Sequence, residues 1–170
     1  MNYDRGRADA HGRLGFYFSY LEEPEKTMRH LLAALEIFER LDCRCKDYLD
    51  VLDGISVEKT NDGDYEEAIK YAIQVSELAD EYGIVSKMIH AELQLAELYR
   101  YIYYPENAYV HLGEALQLAL EHPEVELIEE VEYALANYFR DEDQLDSSLY
   151  YFQSALAKME KSEDLEYKTY

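Results

Sequence analysis

Apolar residues recur along this chain at intervals of three and four positions. Ile69, Ala72, Ile73, Val75 and Leu78 make one such run; Leu112, Ala115, Leu116 and Ala119 make another. That spacing gathers them on one face of an α-helix and predicts amphipathic helices throughout. The punctuation between the runs sets the helix ends. Pro24 and Pro105 each open a helix, because the first-turn N–H has no intrahelical partner to lose. Asn61-Asp62-Gly63-Asp64 reads as a turn, Gly83 as a stop, His122-Pro123 as a break and Asp141-Glu142-Asp143 as a further turn. The predicted helices run over about 4–21, 24–41, 46–60, 65–82, 85–103, 105–121, 125–140 and 144–161.

Taken in pairs, these helices repeat. Leu14, Ile55, Leu95 and Leu135 are separated by 41, 40 and 40 residues. A small residue follows each of them: Gly15, Ser56, Ala96 and Ala136. Further along stand Thr27, Ala68, Ala108 and Ser148, then Ala34, Val75, Ala115 and Ala155. A period of this length marks stacked supersecondary units. The units span about 4–41, 46–82, 85–121 and 125–161 of a single repeat domain. Residues 165–170 hold the place where the first helix of a fifth unit would begin, so a truncated fifth unit is expected there.

The pattern resembles the tetratricopeptide repeat (TPR), which pairs W-x2-L-G-x2-Y on its first helix with A-x3-F-x2-A on its second. Unit one has His11-x2-Leu14-Gly15-x2-Phe18 and Thr27-x3-Leu31-x2-Ala34. Unit two has Leu52-x2-Ile55-Ser56-x2-Lys59 and Ala68-x3-Ala72-x2-Val75. Unit three has Leu95-Ala96-x2-Tyr99 and Ala108-x3-Leu112-x2-Ala115; unit four has Leu135-Ala136-x2-Phe139 and Ser148-x3-Phe152-x2-Ala155. Small residues on both helices let the axes approach, and an aromatic fills the space beside them. The period is longer than the usual TPR, the leading Trp is absent, and Lys59 stands in an aromatic's place. A period near 40 also admits a HEAT-like array, but the ordered small-residue pairs favour TPR. The resemblance implies an all-α, right-handed α-solenoid of antiparallel helix hairpins. The long period and Gly63-Asp64-Tyr65-Glu66-Glu67-Ala68 are similar to repeats of bacterial signalling proteins, where they precede diguanylate cyclase or transcription-factor domains or form peptide receptors.

In that family the first helices line the inner wall. Carried over by register, the wall here holds Tyr20, Asp50, Asp53, His90, Glu97, Arg100, Tyr101, Glu130, Tyr133, Asn137 and Arg140, with Phe16, Val57 and Leu93 among them. Acids, aromatics and two arginines suit a protein or peptide with apolar anchors and basic groups. The Lys and Asn set that grips chaperone C-termini is matched only at Asn137. The resemblance implies a non-catalytic binding module; the alternative is a self-associating module, forming homodimers through the C-terminal hairpin.

Charge and composition narrow the partners. There are 37 acidic against 16 basic residues, a net charge of −21. Direct binding to nucleic acid or anionic lipid needs clustered Lys and Arg, which this chain does not offer. No apolar run approaches the length of a membrane span, and the polar N-terminus does not read as a signal segment, so a cytoplasmic location is expected. Cys43 and Cys45 lack a second Cys or His pair at zinc-ligand spacing, so neither a metal nor another cofactor is expected. No phosphate-binding loop or H-E-x-x-H motif occurs, and no enzyme is expected. The 18 tyrosines are read chiefly as packing between units, hydroxyls turned to water.

Overall fold

The computed structural model describes residues 2–166, with side chains for residues 3–160. Eight α-helices follow one another: α1 (Asn2–Tyr20), α2 (Pro24–Arg40), α3 (Lys46–Asn61), α4 (Tyr65–Glu81), α5 (Val85–Tyr101), α6 (Pro105–Glu121), α7 (Ile128–Asp141) and α8 (Leu145–Glu166). They pack as hairpins, α1 on α2, α3 on α4, α5 on α6 and α7 on α8. Two compact units result, Met1–Ile84 with the first two hairpins and Val85–Tyr170 with the last two. No helix among the described residues is long and apolar enough to cross a membrane.

Each hairpin turns the same way because its backbone is satisfied the same way. In the first, the N–H of Glu22 donates to Ser19 O and that of Glu23 to Phe18 O. The same bond pair recurs at Gly63 and Asp64, at Tyr103 and Tyr104, and at Asp143 and Gln144. This is the Schellman closure of a helix C-terminus, which needs one left-handed residue. Glu22 (φ 55°), Gly63 (φ 78°), Tyr103 (φ 62°) and Asp143 (φ 56°) fill that place at the period of the repeat. Glycine takes the conformation freely; the other three carry a Cβ penalty.

The small residues pack as the repeat predicts. Thr27, Ser56, Ala68, Ala96, Ala108 and Ala136 are all buried, as are Ala34, Val75, Ala115 and Ala155. Gly15 is buried as well, because the space its Cβ would need holds Leu31, whose Cδ2 lies 2.6 Å from that point. Two of the small residues add a hydrogen bond. Ser56 donates to Ala68 O at 2.8 Å from the first helix, and Ser148 donates to Ala136 O at 2.9 Å from the second. The motif aromatics also recur. Phe18 stacks on His30 at 5.4 Å, Tyr99 on His111 at 5.2 Å and Phe139 on Tyr151 at 5.6 Å. Lys59, in the corresponding place, reaches instead to Asp64 at 2.8 Å.

Several expectations are corrected. Leu14 is 41% exposed, whereas Ile55, Leu95 and Leu135 are buried; α1 packs almost entirely on α2, and Leu14 does not face it. α7 begins at Ile128 rather than Val125: Pro123–Val125 forms a 3₁₀ turn, and Glu126 at φ 58° redirects the chain before the helix starts. α5 ends at Tyr101, two residues early, where the Schellman turn takes over. α8 runs without a break to Glu166, so no new helix starts at Leu165; Ser162, Glu163 and Asp164 supply neither Pro nor Gly to stop it. The rest of the expected fifth unit, residues 167–170, lies outside the described residues. The tyrosines are more a surface than a core feature. Tyr138 is buried, but Tyr3, Tyr20, Tyr103 and Tyr150 are each at least 66% exposed.

Candidate functional site

In the first unit, α1 and α3 lie side by side over Phe38 of α2 and enclose a cavity of about 180 Å³. Its lining combines Asp9, Asp47 and Asp50 with Arg13, Phe16 and Val51. Arg13 Nε donates to Asp9 Oδ1 at 2.9 Å, and an Arg5 nitrogen lies 3.8 Å from Asp47. The carboxylates outnumber the cation inside the lining, so the cavity is an acidic slot with an aromatic lip: Phe16 is 42% exposed. Such a slot favours a cationic head on an apolar stem. Of the wall residues expected from the sequence, Asp50 lines the cavity, Asp53 sits one helical turn further along α3, and Tyr20 stands in solvent at the end of α1. Asp9, Asp47 and Arg13 were not foreseen. Asp47 and Arg13 lie outside the family's wall register, whereas Asp9 stands one period before Asp50, His90 and Glu130; the approach of α1 to α3 sets the Asp9–Arg13 pair beside Asp47 and Asp50.

In the second unit the expected residues fall on α5 and α7 and largely pair with one another. His90 Nε2 lies 3.6 Å from Glu130 Oε2, across the two helices. Arg100 of α5 and Arg140 of α7 both reach Asp141. The Tyr101 hydroxyl donates to Glu97 Oε1 at 2.8 Å, and the Asn137 side-chain amide donates to Tyr133 O at 2.9 Å. Tyr133, 54% exposed, meets Phe152 edge-on at 5.6 Å. This face is a lattice of exposed, solvent-screened pairs that a ligand could exchange at low cost.

A second set of polar residues sits at helix crossings within and between the hairpins. Glu58, Glu92 and Glu132 are buried. Glu58 accepts from the Ser19 hydroxyl at 2.8 Å, and Glu132 from Ser154 at 2.9 Å and Lys158 at 2.5 Å. Glu92 Oε2 lies 2.7 Å from His111 Nδ1, and the first hairpin places His11 Nδ1 3.0 Å from His30 Nδ1 at the same crossing. Burial, reinforced by the neighbouring His11, pushes His30 below the ordinary imidazole range. Sequence reading missed these pairs, although one signal existed: His11 with His30 and Glu92 with His111 share a separation of 19 residues.

No protein-family model and no curated protein matches the chain. Solved structures do. The apo form of RapI aligns with a TM-score of 0.82 at 18% identity, over 96% of this chain and 59% of that one. A Rap protein complexed with Competence and Sporulation Factor gives 0.82 at 13% identity, over 94% of this chain and 44% of that one. The chain therefore spans little more than half, or less, of these two structures. TPR-like repeats assigned to a kinesin light chain of Podosopora anserina give 0.75 at 14% identity, over 92% of this chain and 76% of theirs. With eight α-helices and no strand among the described residues, and with these likenesses, the fold is an all-α repeat of TPR-like helix hairpins.

Proposed function

We propose that this chain is a non-catalytic module that binds a protein or peptide, with basic side chains of the partner seated against the first helices. The observation that carries this reading is the acidic slot between α1 and α3, where three carboxylates and Phe16 surround a space fit for one long cationic side chain. Its support from likeness is that one structure of the same fold, the Rap protein, was solved in complex with Competence and Sporulation Factor. The finer reading places this module in the sensory or scaffolding region of a larger bacterial signalling protein of the diguanylate cyclase or transcription-regulator type, in the cytoplasm. It is supported by the long period and by the repeats it resembles.

The test uses a pool of fluorescent hexapeptides carrying one Arg or Lys and two apolar residues, read by anisotropy. Asp9→Asn/Asp47→Asn/Asp50→Asn should abolish retention. A triple neutralisation at Glu66, Glu77 and Asp80 on α4 should not. Retention that survives the first variant, or no retention at all by the parent, defeats the reading.

A second reading, self-association through the C-terminal hairpin, is favoured by α8. Leu145, Leu149, Leu156 and Met159 recur at helical spacing and are 66%, 56%, 56% and 42% exposed. Such a stripe drives association when nothing covers it. Sedimentation equilibrium of the parent and of Leu149→Lys/Leu156→Lys decides it: a monomer in both removes this reading.

A further inference from the structure

We propose that Glu92, His111 and Glu114 form a binding site for a divalent transition-metal cation of the zinc class, built inside the α5–α6 hairpin. Each residue offers one donor atom, and the three donors lie within 4.8 Å of one another. His111 Nδ1 is 2.7 Å from Glu92 Oε2 and 3.7 Å from Glu114 Oε2. Zinc binds imidazole nitrogen and carboxylate oxygen at about 2.0–2.2 Å, which sets neighbouring donors roughly 3.0–3.5 Å apart. The two separations bracket that range, so small side-chain adjustments close the triad around an ion. One nitrogen with two carboxylate oxygens suits zinc and its first-row neighbours better than calcium or magnesium, which prefer all-oxygen shells.

The triad also has the surroundings a metal site needs. Glu92 is 7% exposed and supplies a donor from the dry side. The Glu114 side chain is 56% exposed, which leaves a path from solvent and room for water ligands. The plane of the His111 ring is held by its near-parallel stack on Tyr99, 7° between planes, and its Nδ1 edge faces the two carboxylates. Burial, with Glu92 beside it, holds Glu114 above the ordinary carboxylate range. A dication between the two carboxylates would cancel their like-charge repulsion.

The donor set belongs to this hairpin alone. At the same three places the others have His11, His30 and Ala33; Leu52, Tyr71 and Gln74; and Glu132, Tyr151 and Ser154. The fourth hairpin sets the Lys158 ammonium 2.5 Å from Glu132, where the third has Leu118. Short-range spacing gave no hint of this site, because Glu92 comes from one helix and His111 and Glu114 from the next.

The test is titration of the chelator-treated full chain with zinc chloride by calorimetry, in a Cys43→Ser/Cys45→Ser background that removes the competing thiols. One equivalent should bind, raise the melting temperature and bind more weakly as the pH falls and protons compete for the donors. His111→Gln and Glu114→Gln alter partly exposed side chains, and circular dichroism confirms their folding. Each should weaken zinc at least about tenfold, a loss no smaller than that from removing a supporting residue. His90→Gln and His122→Gln, which remove the exposed His–Glu pairs with Glu130 and Glu124, should leave the affinity unchanged. Cobalt substitution should give visible ligand-field bands in the parent that His111→Gln loses. Zinc affinity unchanged in both triad variants, loss in His122→Gln or His90→Gln, or no binding at millimolar zinc would each overturn the assignment.

Discussion

Leu31 is held between two glycines, and that arrangement makes a sharp prediction. A Cβ at Gly15 would stand 2.6 Å from Leu31 Cδ2 and 2.7 Å from Cγ, and Leu31 is 1% exposed, so it has nowhere to retreat. A Cβ at Gly54 would meet Leu31 Cδ1 at 3.2 Å and Phe16 Cε1 at 2.9 Å, but Phe16 is 42% exposed and can swing away. A Cβ at Gly113, mid-helix in α6, would meet nothing within 4 Å. Replacing a helical Gly by Ala gains about 1 kcal/mol from propensity. Forcing a methyl into a filled core costs about 1–3 kcal/mol. Gly113→Ala should therefore stabilise by about 1 kcal/mol. Gly15→Ala should come out destabilising by up to about 2 kcal/mol, and Gly54→Ala should fall between them. Leu31→Ala alone should cost about 2–5 kcal/mol. Combined with Gly15→Ala it should cost less than the sum, by roughly 1 kcal/mol or more, since the new methyl occupies vacated space. Urea denaturation followed at 222 nm reads all five proteins. If Gly15→Ala stabilises as much as Gly113→Ala, the close approach of α1 and α2 is wrong.

Other outcomes follow from particular contacts. Ser56→Ala and Ser148→Ala each remove a buried hydroxyl bond to the facing helix and should cost about 1 kcal/mol in the same assay. Tyr103→Gly relieves a left-handed residue that is 89% exposed and should stabilise by about 1 kcal/mol, while Gly63→Tyr should do the reverse. The Lys59 hydrogen bond holds Asp64 below the ordinary carboxylate range. The stabilisation from that pair is thus full above the ordinary carboxylate value and is lost as pH falls through the lowered one; acid titration of Lys59→Met should lack that component.

Packing was the part of the fold most legible beforehand. Gly15, Ser56, Ala96 and Ala136, with their partners on the second helices, are dictated by how close two helix axes come, and that demand repeats with the chain. Pro24, Gly63, Gly83 and Pro105 marked helix ends because backbone geometry at those residues is a local property. The start of α7 was not legible, since Val125 and Glu126 carry no breaker and the deviation follows from the preceding Pro123 turn. Of the candidate site, Asp50 and the His90–Glu130 pair could be placed by helical register. Asp9 could have been, since it stands one period before Asp50; Asp47, Arg13 and the Glu92–His111–Glu114 triad could not. Their meeting depends on which turns of two helices come opposite each other, and nothing in the spacing along either helix encodes that.

The point where His111 lies beside Glu92 is also a socket common to the hairpins. Its frame, the small residues and the stacking aromatic, is nearly constant, while its contents change from His11–His30 to Leu52–Tyr71 to Glu92–His111. Contents and frame are therefore separable, and chemistry from one hairpin should be portable to another. Tyr151→His/Ser154→Glu/Lys158→Leu transplants the third hairpin's trio into the fourth, where Glu132 is already in place and Phe139 keeps the aromatic neighbour. A chain built this way can exchange what one repeat holds while leaving how the repeats stand untouched, which is how an array of near-copies comes to present unlike surfaces.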